Sequence, residues 1–382
     1  MTEASADRRP VAETVGPEAA EELAQIRASV VEVLDERAGL RRTHELMVGT
    51  PGHDPQLHEL LTAELGLLGL VVPEHLGGLG LDVSAATAVV EELGARLVPG
   101  ALATSLTAIL AARALGPSAE PLLARVVDDQ LTLAGALAED GAGWDLAQTA
   151  TRATGTGAGW ALTGTKTLVA GVEAARVVLV TARDGGGEVG VYAVDVAADG
   201  VGVRTHMTLD QTRRLSTVHL REAAATRVDA PGGEGGARVL LDHVRAMLAL
   251  ESVAAARACL DRTVEYLKVR EQFGRPIGSF QALKHRCADL AVAVAGARAT
   301  ADHLVTTLRT GAVTRSHDAA LAKLVCTDTL MTVAAEAIQL HGGIGFTFEH
   351  DAHLFFKRGK SAQLLAGSPA MVRADVAALA GL

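Results

Sequence analysis

"YLKVREQFGRPIGSFQALKHRCADL", residues 266–290, holds a sharp corner between two helical patterns. Gly274, Pro276 and Gly278 break the first pattern, because proline lacks an amide donor and glycine favours turn conformations. The second pattern follows at once, with Ser279 placed to cap its first turn. Such a corner presents Arg270, Gln272 and backbone amides to one side, a ready seat for a diphosphate. A plain helix–turn–helix with a solvated arginine reads the same way, so the segment alone leaves both open.

Outward from that corner, helical patterns cover roughly 238–268, 279–309 and 318–340, and "AIQLHGGIGFTFEH" (337–350) supplies a glycine turn. Gly342, Gly343 and Gly345 let a ligand approach the backbone closely; a Schellman-type helix stop uses the same residues. "DAPGGEGGA" (229–237) reads as a linker. Ahead of it, residues 131–230 are rich in Val, Thr and Gly, with short runs such as "RVVLVTAR" and "VGVYAVDV". "GWALTGTKTLVAG" has hairpin character, and the block predicts a small β domain. From Pro17 to about Arg125 apolar residues recur at helical spacing, with Pro17, Asp54 and Ser84 as start signals. The predicted order is a disordered tail (1–16), an N-terminal helical domain (17–125), a β domain (126–235) and a C-terminal helical domain (236–382).

Composition narrows the function. The chain carries 45 acidic against 35 basic residues, net −10, and no basic tract beyond pairs such as Arg8-Arg9 and Arg213-Arg214, which excludes a nucleic-acid binder. Cys259, Cys287 and Cys326 are scattered within helical patterns and read as small buried hydrophobes of a reducing compartment, neither disulfides nor zinc ligands. His285, His341 and His350 match no metal-ligand spacing, so no metal is expected. The N-terminus lacks an apolar leader and no uncharged apolar run reaches membrane length, predicting a soluble cytoplasmic protein without membrane insertion. The basic run "FFKRGK" (355–360) reads as a solvated helix face.

Taken in order, the FGRPIGSFQ corner and the HGGIGF turn resemble those of the acyl-CoA dehydrogenase family. "VVPEHLGGLGLD" (71–82) looks like its N-terminal turn and "AEDGAGWD" (138–145) like its flavin loop. "GTKTLVAG" (164–171) is similar to its G-x-K-x-W-I-T-N segment, and "KSAQLLAGSP" falls where the family has Y-E-G-T. The resemblance implies an α+β multidomain fold with a helical N-terminal domain, a β-barrel or sandwich-like middle domain and a C-terminal four-helix bundle. It also implies FAD, an oligomer, and α,β-dehydrogenation of an acyl thioester carried on CoA or a carrier protein. An electron-transfer flavoprotein is the implied electron acceptor. In such enzymes a carboxylate removes the α-proton, worth ~10²–10⁴-fold.

Here the chain departs from the family. The catalytic glutamate maps onto Ala366, and the alternative base position of some members, on the first long C-terminal helix, maps onto Val244. The nearest acids on that helix are Asp242 and Glu251, the candidate bases if either side chain reaches the site. Residues that touch a subunit's own flavin map onto Ala138, Ala170, Leu168 and Trp144, none of which keeps the family's polar or aromatic group. By contrast, those that hold the ADP half of a neighbouring subunit's FAD persist: Arg270, Gln272, Phe273, Gln281, Gln339, Gly342 and Gly343, with Ser368 added from the Y-E-G-T segment. Three accounts follow. The chain completes the FAD site of a base-bearing paralogue in a heterotetramer; it is a stand-alone flavoenzyme with a relocated base or other acyl-CoA chemistry, as a homo-oligomer; or it is a cofactor-free scaffold.

Overall fold

The computed structural model describes residues 17–49, 52–157, 159–232 and 235–382; the tail expected over 1–16 lies outside them. The N-terminal helices are α1 (Pro17–Arg37), α2 (Leu40–Val48), α3 (Pro55–Glu59), α4 (Val83–Ala95), α5 (Leu102–Ala114) and α6 (Glu120–Asp128). Asp54 caps α3 as expected, accepting from the amides of Gln56 and Leu57. At α4 the cap is Asp82, whose carboxylate accepts from the Ser84 amide, so the helix starts ahead of the serine.

Seven strands make the middle domain: β1 (Leu133–Ala136), β2 (Arg152–Thr156), β3 (Gly159–Ala170), β4 (Val177–Arg183), β5 (Val189–Asp195), β6 (Val201–His206) and β7 (Leu215–Arg227). β1 runs parallel to β4, β4 pairs antiparallel with β5, and β5 meets the end of β7. β7 continues to β3 and β3 to β2, which returns to β4 at Arg152–Arg183, so the sheet closes on itself as a barrel, with β6 flanking β7. "GWALTGTKTLVAG" is one long strand rather than a hairpin; the reversal lies before it, and irregular pairing near Thr163 and Thr167 mimics a turn in the sequence. The alternation of β4 explains its position. Val178 and Val180 point into the barrel core, while Val177 and Leu179 join the core shared with the helices.

The C-terminal bundle is built from α7 (Gly236–Val269), α8 (Gln281–Thr310), α9 (Arg315–His341) and α10 (Ala352–Leu364), followed by α11 (Pro369–Leu379). A two-residue ladder, β8 (Glu271–Gln272) with β9 (Arg275–Pro276), forms the corner between α7 and α8. Ser279 does not cap α8: its hydroxyl donates to the Pro276 carbonyl, and the helix begins after Phe280. At 34 residues, α7 spans about 51 Å at 1.5 Å per residue, and most of its length is buried against helices of both helical domains and the edge of the barrel. Among the described residues, no helix is long and apolar enough to cross a membrane.

Two glycines test how tightly α7 and α8 are packed. Where α4 crosses α7, a Cβ on Gly94 would lie 2.6 Å from the Cα of Glu251. Gly94→Ala is expected to destabilise the chain by ~1–3 kcal/mol through overpacking. On the outer face of α8, Gly296 has no heavy atom within 4 Å of such a Cβ. Gly296→Ala is expected to gain ~0.5–1 kcal/mol from helix propensity. Urea midpoints of the two variants should therefore move in opposite directions.

Candidate functional site

A cavity of about 30 Å³ lies where β1, β3, α5 and α7 meet. Thr104, Thr107, Trp144, Leu168, Val244 and Leu365 are among its lining, and Arg213 is its only ionisable side chain. That volume holds about two waters, not an acyl chain. Four of the residues singled out from the sequence thus meet here: Trp144 from the 138–145 loop, Leu168 and Ala170 from β3, and Val244 from α7. Ala138 is buried close by, its carbonyl accepting from the Thr167 amide at 2.8 Å.

The 138–145 loop is held by a charge that the sequence reading passed over. Lys166 donates to Glu139 Oε1 (2.6 Å), to Thr181 Oγ1 (2.9 Å) and to the Leu137 carbonyl (3.1 Å), wholly buried inside the barrel. Burial pulls the Lys166 ammonium down to about 8, while Glu139 opposes the shift. Glu139 also accepts from the amides of Ala150 and Thr151. Both residues stand within the quoted segments "AEDGAGWD" and "GTKTLVAG", and that co-occurrence was the available signal.

Neither candidate base faces the cavity. Glu251 pairs with Arg213 and lies 3.8 Å from Arg358. Arg358 in turn donates to Asp210 Oδ2 (3.1 Å) and to Thr212. Burial lowers the Arg358 guanidinium below its usual range, and Asp210 opposes that shift. This overturns the reading of "FFKRGK" as a solvated face: Phe355 and Arg358 are buried, because Arg358 finds its counter-ions inside. Asp242 is also fully buried, accepting from Arg238, Arg315 and Ser316.

Ala366 is buried at φ 55°, between the end of α10 and Ser368, which caps α11 through the Met371 amide. Two cations hold this loop by its backbone. Arg245 Nε donates to the Ala366 carbonyl (3.2 Å) while its Nη2 pairs with Asp375 (2.6 Å). Lys323 donates to the carbonyls of Gln363 (2.7 Å) and Gly367 (2.6 Å). Burial, with Arg245 nearby, pulls Lys323 down to about 8. Sequence reasoning noted Arg245 only as the neighbour of Val244 and missed Lys323, which no local pattern marks.

The diphosphate candidates form an open face at the opposite end of α7. Arg270 follows the helix at its C-cap, Gln272 lies exposed in β8, and Phe273 sits at the hairpin tip, 90 % exposed at φ 55°. Gln281 opens α8 and is exposed, as is Gln339 on α9. Gly342 ends α9 at φ 64°, and a Cβ on it or on Gly343 would meet nothing within 4 Å. The two segments are joined by Tyr266, one turn before Arg270, whose hydroxyl donates to the His341 carbonyl at 3.4 Å. Ser368 does not share this face; it stands with the Ala366 loop.

Family models match the chain in three consecutive pieces: "Acyl-CoA dehydrogenase, N-terminal domain" over residues 20–118, "middle domain" over 134–221 and "C-terminal domain" over 233–380. The acyl-CoA dehydrogenase IpdE2 of Mycobacterium tuberculosis is 37 % identical over 347 residues, 90 % of this chain and 93 % of the relative. IpdE2 of Mycolicibacterium smegmatis is 35 % identical, over 91 % and 96 %. Among solved structures, a variant of the Tcur3481-Tcur3483 steroid ACAD matches with TM-score 0.87 and 30 % identity over 95 % of this chain and 98 % of that one. The ChsE4-ChsE5 complex of Mycobacterium tuberculosis matches with TM-score 0.83 and 28 % identity over 96 % and 98 %.

The Glu251 geometry yields a direct test. Glu251→Gln would leave Arg213 and Arg358 buried with too few counter-charges, and breaking such a pair costs ~3–5 kcal/mol. The urea midpoint of Glu251→Gln should drop accordingly. An unchanged midpoint with altered chemistry would instead assign Glu251 to proton transfer.

Proposed function

We propose that this chain, which belongs to the acyl-CoA dehydrogenase family, is the base-deficient subunit of a heteromeric dehydrogenase. It completes the FAD site of a base-bearing paralogue that carries out α,β-dehydrogenation of an acyl thioester on CoA or a carrier protein. An electron-transfer flavoprotein is the electron acceptor. The observation that carries this reading is the lining of the small cavity of about 30 Å³: it includes Trp144 and Leu168, with Arg213 as its only ionisable side chain. A guanidinium cannot serve as a base near neutral pH.

The two halves of the family's cofactor fit this chain differently. The cavity beside Leu168 and Ala170 is small, and β3 presents only apolar side chains there, where a tricyclic ring system would call for polar contacts. The face carrying Arg270, Gln272, Phe273, Gln339, Gly342 and Gly343 is open, cationic and rich in accessible backbone, as a diphosphate requires. There Arg270 would hold the diphosphate by charge-assisted hydrogen bonds, with the backbone of Gly342 and Gly343 open beside it. The side-chain amides of Gln272, Gln281 and Gln339 would orient the adenosine half, and Phe273 would cover it from water. When bound, FAD supplies the acceptor for the hydride that leaves the β-carbon. Ser368, set apart from that face, caps α11 in this reading.

Two-component names among the similar structures, Tcur3481-Tcur3483 and ChsE4-ChsE5, support the heteromer. A stand-alone enzyme would need a free base, and both acids are engaged: Glu251 by the buried Arg213, and Asp242 by the half-buried Arg238 and Arg315.

Two measurements test the proposal. Arg270→Ala should lower the flavin content of the assembly purified with its partner several-fold, by loss of a charge-assisted contact worth ~1.5–3 kcal/mol; unchanged flavin content removes the lending role. Ala366→Glu should not create an active homomer. Its carboxylate would sit beside Arg245 and Lys323, whose charges lower its basicity, above a cavity too small for substrate. Anaerobic bleaching of flavin by a panel of acyl-CoAs in Ala366→Glu alone would overturn the heteromer reading.

A further inference from the structure

Beside the Gly342 turn stands a cluster of imidazoles that the proposed function does not use. His341, the last residue of α9, is buried, and its Nδ1 donates to the Ala337 carbonyl at 2.7 Å, leaving Nε2 bare in the neutral ring. Its ring stacks on Tyr266 (centroids 4.4 Å, 28°) and packs against His350 at 4.2 Å. His350 Nδ1 accepts the Ala352 amide at 3.1 Å, which fixes the start of α10. One turn on, His353 has a buried Nδ1 without a partner and lies edge-on to Phe348 and to His44 of α2.

Among the charged groups around this cluster, Asp351 favours an added proton on His353, but burial and the neighbouring cation Lys357 outweigh it. On α7, Asp261 is paired with Arg257 (2.7 Å) and Glu265 with Lys268 (2.6 Å), while Arg262 brings a further positive charge to the groove beside His341. At the start of α10, Asp351 is held by His44 (3.0 Å), and Lys357 lies over the Phe348 ring at 4.9 Å. Of these carboxylates, Asp261 and Glu265 are paired with cations and Asp351 is held by another imidazole, while Arg262 and Lys357 add positive charge.

We propose that this stack is an acid-sensitive lock on the glycine turn: protonation of His341 and His353 breaks the packing that holds residues 342–350 on the bundle. Burial holds both imidazoles below the usual histidine range, with His350 acting in the same direction on His341 and Lys357 on His353. Their neutral forms therefore stabilise the closed turn above the unfolded pKa of about 6.5, and that stability is lost as pH falls through the lower folded values. Acidification opens the turn with proton uptake. The functional consequence, release of lent cofactor contacts, rests on the lending role proposed above.

The test is hydrogen exchange of the amides of 342–350 in the full chain at about pH 7.5 and about pH 5.5, divided by intrinsic rates. The open fraction should rise about tenfold or more at the lower pH. It should stay flat in His341→Gln/His353→Gln, where the glutamine at 341 can still donate to the Ala337 carbonyl. A wild-type rise of less than about threefold, or an equal rise in the double variant, overturns the lock. Flavin retention by the assembly at the same two pH values separates the two ideas. Opening without flavin loss supports the lock and removes the lending role.

Discussion

The buried group of Asp210, Arg213, Glu251 and Arg358 joins three parts of the molecule that share no local sequence. Asp210 and Arg213 come from the loop between β6 and β7, Glu251 from the middle of α7, and Arg358 from α10. Two cations and two carboxylates balance one another, and Thr212 accepts from Arg358 through both its hydroxyl and its carbonyl. Isolated, each of these charges would be costly to bury; together they are satisfied only when barrel, α7 and α10 are all in place. The contact is therefore specific as well as stabilising. It also leaves Glu251, one of the two candidate bases in the sequence, engaged as a counter-ion.

The same logic holds at Ala366. Arg245 and Lys323 donate to the backbone of the 363–367 loop, so its shape does not depend on the side chain at 366. A loop framed by these cations and carrying a methyl group at 366 has no side-chain group there that could take a proton. At the far end of α7 the opposite condition holds: Arg270, Phe273 and the glycine turn are exposed and have few partners inside the chain. One end of the helix is closed and neutralised, the other open and cationic.

Much of this was legible in the sequence. The fold followed from the composition switch into the Val-, Thr- and Gly-rich block and from the corner at 274–278, since turn residues and periodicity are local signals. The exposed corner and the glycine turn, for which a lending role is proposed, could be picked out too, because Arg270, Gln272 and the glycines lie in two short motifs. What local pattern could not give was pairing at a distance. Glu251 looked available because Arg213 lies 38 residues away, and Arg358 looked solvated because its counter-ion Asp210 lies 148 residues upstream. Lys323 had no motif at all. The cap shifts at Ser279 and Ser84 have a smaller cause: neighbouring residues competed for the same helix start, and backbone geometry chose between them.

Backbone strain marks the same places. Leu168, Phe273 and Ala366 all adopt φ between 53° and 56°, where a side chain other than glycine's costs of order 1–3 kcal/mol. Each is held by neighbours: Leu168 by β3 as it bends past the cavity, Phe273 by the β8–β9 ladder, and Ala366 by Arg245 and Lys323. At Phe273 the strained geometry presents an apolar ring to solvent, a poor arrangement for an isolated chain and a good one for a face that another subunit covers. At Leu168 and Ala366 it leaves an apolar side chain where proton transfer or ring contact would need a polar one. On the proposed reading, the backbone keeps the family's outline, while apolar side chains at Leu168 and Ala366 leave this chain's own site without a base and the exposed corner at Arg270 and Phe273 serves a partner.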